Sequence, residues 1–146
     1  MRIAYVCQSY PPMISGAALV ARRLAVGMTA RGHTVLVMAA SDRKRAYTVS
    51  ANGLKIVRLR SLHNPMRVGQ CFVLWPRMEV AAQIRAFHPD VIHLQEPLAL
   101  AICGTRIARA LDIPMTLTIH QLPWFASLCA PALPGLRQGI ETCLWA

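Results

Sequence analysis

The sequence predicts an α/β fold, a parallel sheet with helices on both faces, and three observations predict it. Short apolar runs alternate with stretches of helical period along the chain, and such alternation builds parallel sheets through right-handed crossovers. The first run, Ile3-Ala4-Tyr5-Val6-Cys7, is apolar throughout, as expected of a central strand covered on both faces. It runs into Tyr10-Pro11-Pro12-Met13-Ile14-Ser15-Gly16, then a helix, then Gly32-His33 and a second apolar run. That is a βαβ unit with a small-residue loop where parallel sheets bind ligands, outside the carboxyl ends of their strands.

The elements follow in order. The first strand spans Arg2 to Cys7, and the first helix spans Gly16 to Arg31. Ser15 supplies its side-chain cap, Val20, Leu24 and Met28 supply an apolar stripe at four-residue spacing, and Gly32 ends it. Thr34 to Ala39 is the second strand, and Ser41-Asp42-Arg43-Lys44-Arg45 is a charged turn. Asn52-Gly53 is a hairpin-type dipeptide. After it, Leu54 to Arg60 largely alternates apolar and basic residues, the pattern of a strand with one wet face near the sheet edge.

From Ser61 to Trp75 the pattern fails, with Asn64-Pro65 as a breaker and Cys71-Phe72-Val73-Leu74-Trp75 as an apolar cluster beside Arg67 and Arg77. Pro76 then fits the first turn of a helix whose Val80, Ile84 and Phe87 stack at helical spacing, and His88-Pro89 closes it. Asp90 to Leu94 is a strand, followed by Gln95-Glu96-Pro97 and a helix from Leu98 to Leu111 on which Ile102, Arg106 and Arg109 mark the rotation. Met115 to Ile119, rich in β-branched residues, is a strand that delivers His120 to its carboxyl end. Leu136 to Ala146 reads as a helix with no Gly or Pro stop. The 146 residues suffice for one domain with a core. The expectation is a single, incomplete N-terminal domain over residues 1–146 whose fold continues past Ala146.

Composition narrows the function. No stretch approaches the roughly 18 to 20 apolar residues that span a bilayer, and the apolar run after Arg2 is too short for a secretory signal, so a cytoplasmic location is expected. Five widely spaced cysteines, Cys7, Cys71, Cys103, Cys129 and Cys143, show no Cys-x-x-Cys pair. They read as reduced, buried thiols, with no metal site expected. A Gly-x-Gly-x-x-Gly fingerprint and a Gly-Lys-Ser/Thr phosphate loop are both absent, which disfavours dinucleotide enzymes and P-loop nucleotide hydrolases. No cofactor is expected.

The net charge of +10 rests on fourteen Arg and two Lys, and eight basic residues but no acidic one lie between Arg43 and Met78. A directional basic face suits phosphates of nucleic acid, anionic lipid or nucleotide sugar, and a solvated arginine-rich surface is the plainer alternative. Tyr47 is the only aromatic residue inside the basic run before Phe72, which counts against stacking on nucleic acid.

Three strand ends carry polar or special residues: the Ser15-Gly16 loop, His93 to Glu96, and His120. All three are expected to face one crevice. Gly16 at a helix N-terminus allows close approach of a phosphate or sugar, and equally serves as a turn residue. His120 is placed to orient a hydroxyl or carry a proton, or else to be a capped structural histidine. His93 reads either as core or as a residue beside the site, and Glu96 before Pro97 is expected to be exposed.

Several stretches together resemble a known family: Met1-Arg2-Ile3-Ala4-Tyr5-Val6, Pro11-Pro12 through Ser15-Gly16-Ala17, Arg31-Gly32-His33-Thr34-Val35, Phe87-His88-Pro89-Asp90-Val91-Ile92-His93 with Glu96-Pro97, and Thr118-Ile119-His120. In order and spacing they resemble the N-terminal domain of GT-B glycosyltransferases of family 4, with the flavour of the branch that glycosylates lipids such as phosphatidylinositol. The resemblance implies a Rossmann-like domain and a retaining transfer from a nucleotide-diphosphate sugar held in a cleft between two such domains, the N-terminal one mainly holding the acceptor. By position Gly16 matches the loop glycine near the donor diphosphate, and His120 matches the histidine beside the transferred sugar. The family's usual Gly-Gly pair stands here as Gly16-Ala17, or as Ser15-Gly16 in another register.

His120 is therefore the candidate catalytic residue, and Tyr10, Ser15, Gly16, Ala17, His93 and Glu96 are the candidate donor- and acceptor-binding residues. The family's second domain, with its nucleotide-binding residues and paired glutamates, is not in this sequence, which implies that this polypeptide alone lacks turnover. The resemblance also implies docking on an anionic membrane, peripheral on the inner face of the cell membrane, through Arg58, Arg60, Arg67 and Arg77 around Phe72 to Trp75. For Phe72 to Trp75 an ordinary core position is the alternative. The second function class weighed is a non-catalytic basic Rossmann-like module that binds anionic lipid or nucleic acid.

Overall fold

The computed structural model describes residues 1–51, 53–64, 69–73 and 76–120, together with 135, 138, 139 and 142. In chain order the elements are β1 (Arg2–Cys7), α1 (Gly16–Ala30), β2 (Thr34–Ala40), β3 (Tyr47–Ala51), β4 (Leu54–Leu59), β5 (Leu62–His63), β6 (Cys71–Phe72), α2 (Arg77–Phe87), β7 (Val91–Leu94), α3 (Ala99–Ala110) and β8 (Met115–Leu117). Among the described residues six strands form one sheet in the order β3-β4-β2-β1-β7-β8. All neighbours are parallel except β3, which runs antiparallel to β4 and forms an edge. The short β5 and β6 pair with each other in a separate hairpin.

The uninterrupted apolar run of β1 is explained by its central place between β2 and β7. Ala4 and Val6 pack into a core with Leu36, Met38, Ile92 and, from α2 and α3, Val80, Ile84, Leu100 and Ile107. Ile3, Tyr5 and Cys7 face the other way, into a core with Val35, Val37 and, from α1, Ala21 and Ala25. Helices therefore cover both faces. Gly104 on α3 permits close approach to this sheet: a Cβ there would lie 2.7 Å from Leu94 Cδ2.

Local signals explain most boundaries. Ser15 Oγ accepts a hydrogen bond from Ala18 N at 3.0 Å and starts α1. Pro76 precedes α2, and His88 closes it in the left-handed conformation with its N–H on Ile84 O. Gly53, at a φ of +75°, turns β3 into β4.

The expected parallel sheet with helices on both faces is present, with one antiparallel strand, β3, added at its edge from a segment for which no strand was expected. Three expectations need correction. The buried stripe of α1 is Ala18, Ala21 and Ala25, with Leu24 and Met28 partly buried and Val20 exposed, because a helix lying close over a sheet takes small residues at the contact. β4 lies near the edge as expected, between β2 and β3, but its Arg58 is buried at 3% exposure rather than set on a wet face. The segment after Ser61 holds the β5–β6 hairpin, in which Cys71 and the adjoining Val73 join the core while Leu62 stays exposed. Cys7, Cys71 and Cys103 are free, buried thiols. Cys129, Cys143 and most of the helix expected from Leu136 lie outside the described residues.

Candidate functional site

The carboxyl ends of β1, β7 and β8 open onto one pocket of about 650 Å³. β1 delivers Gln8 and Ser9 to it, the start of α1 delivers Ser15, Gly16, Ala17 and Val20, and β7 delivers Glu96. His120 arrives after β8, and the β5–β6 hairpin adds Asn64, Gln70, Cys71 and Phe72 as the opposite wall. Gln8 ties floor to wall by donating from Nε2 to Cys71 O at 3.2 Å. The three strand ends expected to meet do meet.

At the α1 end, Ser15 Oγ takes the N–H of Ala18 and Ser15 O takes that of Leu19. The first N–H groups of a helix have no partner inside it, so those of Gly16 and Ala17 remain for a ligand. No acidic residue in the first turn offsets the positive end of the helix dipole. Nothing within 4 Å of Gly16 would meet an added Cβ, so the space beside it is open to a phosphate.

Across the pocket the Glu96 carboxylate is only partly exposed, because it accepts from Ser9 N at 2.9 Å and Ser9 Oγ at 3.2 Å. This corrects the exposed position expected for it. Burial pushes its carboxyl above the usual range, and the Ser9 hydrogen bonds and the charge of His120 oppose that shift. His120 Nε2 lies 3.1 Å from Gln95 Oε1. His93 is half-buried, with Nε2 2.7 Å from Thr118 Oγ1 and its ring 5.1 Å from that of Tyr5. Burial, then the charge of His120, lowers its pKa. His93 thus stands beside the site rather than on the pocket wall.

Tyr10 is 3% exposed and is not part of the lining either. Burial pushes its phenol up to about 12, and the Arg58 guanidinium lies 5.3 Å from its ring centre. Arg58, expected at a membrane surface, instead donates to three backbone carbonyls: Tyr10 O at 3.3 Å, Ala40 O at 3.0 Å and Pro11 O. It turns inward because the loop before α1 and the end of β2 present these carbonyls to it, and Tyr10 O accepts from Met13 N as well. Phe72 also departs from its expected outward place, being half-buried on the pocket wall. Arg60 and Arg77 are exposed and border a separate surface depression with Leu62 and Met78. Arg67 and Trp75 lie outside the described residues.

Sequence reasoning passed over Gln8, Ser9 and Gln95. The signal for all three was a polar residue directly after an apolar strand, and Gln95 is fully buried there. The pocket therefore offers N–H donors and a helix dipole at one end, and a carboxylate and an imidazole at the other. That set can hold an anionic group while hydrogen-bonding hydroxyls. Among the described residues, no three His, Cys, Asp or Glu side chains are grouped to hold a metal ion.

Comparison with known proteins agrees with this architecture. The chain is 30% identical over 122 residues to a GDP-mannose-dependent alpha-mannosyltransferase of Corynebacterium glutamicum, covering 83% of this chain and 29% of that protein. It is 27% identical over 120 residues to an alpha-monoglucosyldiacylglycerol synthase of Streptococcus pneumoniae, covering 82% of this chain and 26% of that protein. The chain thus spans less than a third of the length of these relatives. Its fold matches sucrose-phosphate synthase from Thermosynechococcus elongatus with a TM-score of 0.69 at 14% identity, over 99% of this chain and 40% of that one. The family model described as Glycosyltransferase Family 4 matches residues 14–140, from the loop that opens α1 past the His120 strand, and the chain therefore belongs to glycosyltransferase family 4.

Proposed function

We propose that the chain forms the acceptor-side half of a retaining glycosyltransferase that moves a hexose from a nucleotide-diphosphate sugar to a lipid acceptor. The observation that carries this reading is the convergence of the Gly16 and Ala17 N–H groups, Glu96 and His120 on one pocket at the carboxyl ends of the strands. The N–H groups receive the donor diphosphate, His120 stands beside the transferred sugar, and Glu96 with Ser9 hydrogen-bonds acceptor hydroxyls. A second domain outside this chain supplies the rest of the donor site, so binding by this half alone is weak. The sugar and the lipid acceptor are suggested by the relatives' own descriptions, a GDP-mannose-dependent mannosyltransferase and a glucosyldiacylglycerol synthase.

Titrating the chain with GDP-mannose while following backbone amide shifts tests the reading. Gly16, Ala17 and the His120 ring are expected to move first. Shifts confined to other residues would refute it.

A membrane role follows on the cytoplasmic side. Arg43, Lys44, Arg45, Arg60 and Arg77 are exposed around Leu62 and Met78, which are 50% and 81% exposed. Each basic residue near an anionic leaflet contributes about 1 kcal/mol. Cosedimentation with phosphatidylglycerol vesicles should exceed that with phosphatidylcholine vesicles and fall in Arg60→Glu/Arg77→Glu. Equal binding to both vesicles removes the membrane role, and tight salt-sensitive binding to an oligonucleotide instead would favour the non-catalytic module.

A further inference from the structure

Gln95 is polar, yet none of its surface is exposed. Its backbone N–H donates to Val6 O at 3.0 Å, continuing the β1–β7 ladder, so its side chain is carried on the rigid sheet rather than on a mobile loop. Among the described residues the amide makes one side-chain hydrogen bond, Oε1 to His120 Nε2 at 3.1 Å. The amide nitrogen is buried with no partner among the described residues. An unpaired buried N–H costs stability that an apolar residue of the same length would not. The contact with His120 is therefore what the glutamine provides at this position.

His120 comes to it from the neighbouring strand. Thr118 N donates to Leu94 O at 2.9 Å, extending the β7–β8 pairing to the edge of the pocket. His93, two residues before Gln95, and Glu96, directly after it, are the titratable groups that feel the charge of His120. Both already have partners, Thr118 and Ser9, so neither holds the imidazole.

We propose that Gln95 is the positioning residue of His120: its amide oxygen accepts the Nε2 proton, fixes the neutral ring in the Nε2–H tautomer, and leaves Nδ1 as the acceptor for a ligand hydroxyl. The proposal rests on the reading of His120 as a site residue. It assigns the imidazole a direction: toward the ligand it accepts a hydrogen bond and does not donate one.

Nitrogen-resolved NMR of the histidine rings of this chain, without ligand, tests it. The wild-type His120 ring is expected as the Nε2–H tautomer at neutral pH. Gln95→Met, which keeps length but lacks the acceptor, should raise the minor Nδ1–H form about fivefold, the equilibrium equivalent of one lost hydrogen bond. Gln95→Glu should keep the Nε2–H tautomer and hold the imidazole proton to higher pH, because a carboxylate favours the charged ring. An Nδ1–H tautomer in the wild type overturns the proposal, as does an unchanged tautomer ratio in Gln95→Met. If Gln95→Met does not fold, the wild-type tautomer and the Gln95→Glu titration decide. These readouts need no nucleotide sugar, so GDP-mannose shifts confined to residues other than Gly16, Ala17 and His120, with the tautomer result intact, would overturn the functional reading and leave the positioning role standing.

Discussion

Replacing Arg58 by Met should cost the fold far more than a surface arginine would. The guanidinium is 3% exposed and donates to the carbonyls of Tyr10, Pro11 and Ala40. A hydrogen bond from a charged donor contributes about 1.5 to 3 kcal/mol net, but three made by one group are not additive. Met keeps much of the stem against Tyr10 and leaves carbonyls that relaxation of the loop re-exposes to water. The expected loss is therefore about 3 to 5 kcal/mol, the range seen when one member of a buried charged network is removed. For a domain of this size that lowers Tm by roughly 10 °C. Urea unfolding followed by circular dichroism measures it, with exposed Arg60→Met as the control. A loss under about 1 kcal/mol, as for a solvated side chain, with vesicle binding reduced instead, would refute the inward role and restore Arg58 to the surface.

Two further predictions concern pH and packing. Glu96 has its carboxyl raised by burial, so its contribution to stability is present below the unfolded value of about 4.3 and lost as pH rises through its folded value. His93 is lowered, chiefly by burial, so its contribution is present above about 6.5 and lost as pH falls through its folded value. Urea midpoints taken across this range should show Glu96→Gln gaining on the wild type as pH rises and His93→Gln gaining as pH falls; parallel curves would contradict both. Gly104→Val should cost about 1 to 3 kcal/mol by overpacking, since even a Cβ meets Leu94 Cδ2 at 2.7 Å, and an unchanged urea midpoint would show that α3 moves aside freely.

What the sequence made legible was what local pattern encodes. The β1 run, the Ser15 cap, Pro76 and His88 around α2, and the gathering of Ser15, Glu96 and His120 at strand ends could all be read from neighbours in the chain. What could not be read depends on partners far away in sequence. Arg58 looked like a wet-face residue because Leu54 to Arg60 alternates, but two of its three acceptors lie in the Tyr10–Pro11 loop, 48 and 47 residues away, and the third is Ala40 O on β2. Glu96 looked exposed before a proline, but its burial comes from Ser9, 87 residues earlier. β3 was missed because Tyr47-Thr48-Val49-Ser50-Ala51 is only weakly apolar beside a basic run, and pairing with β4 makes it a strand. In α1 the larger apolar residues suggested the stripe, whereas the closeness of helix and sheet selected the alanines.

The alanine contact face of α1 has a dynamic consequence. Ala18, Ala21 and Ala25 each bury one methyl group, and Gly27 sits within the same helix. Burial of a methyl contributes only about 0.8 kcal/mol, and an interior glycine costs about 1 kcal/mol relative to alanine. α2 and α3 are anchored by Val80, Ile84, Leu100 and Ile107. The helix whose first turn faces the pocket therefore meets the sheet through small side chains, with Leu24 and Met28 only partly buried beside them, and its amides are expected to exchange with solvent readily. A ligand that binds its first N–H groups also quiets its fluctuations. Part of the binding free energy then goes into ordering α1, and slower exchange along its whole length would reveal occupancy well away from the atoms that touch the ligand.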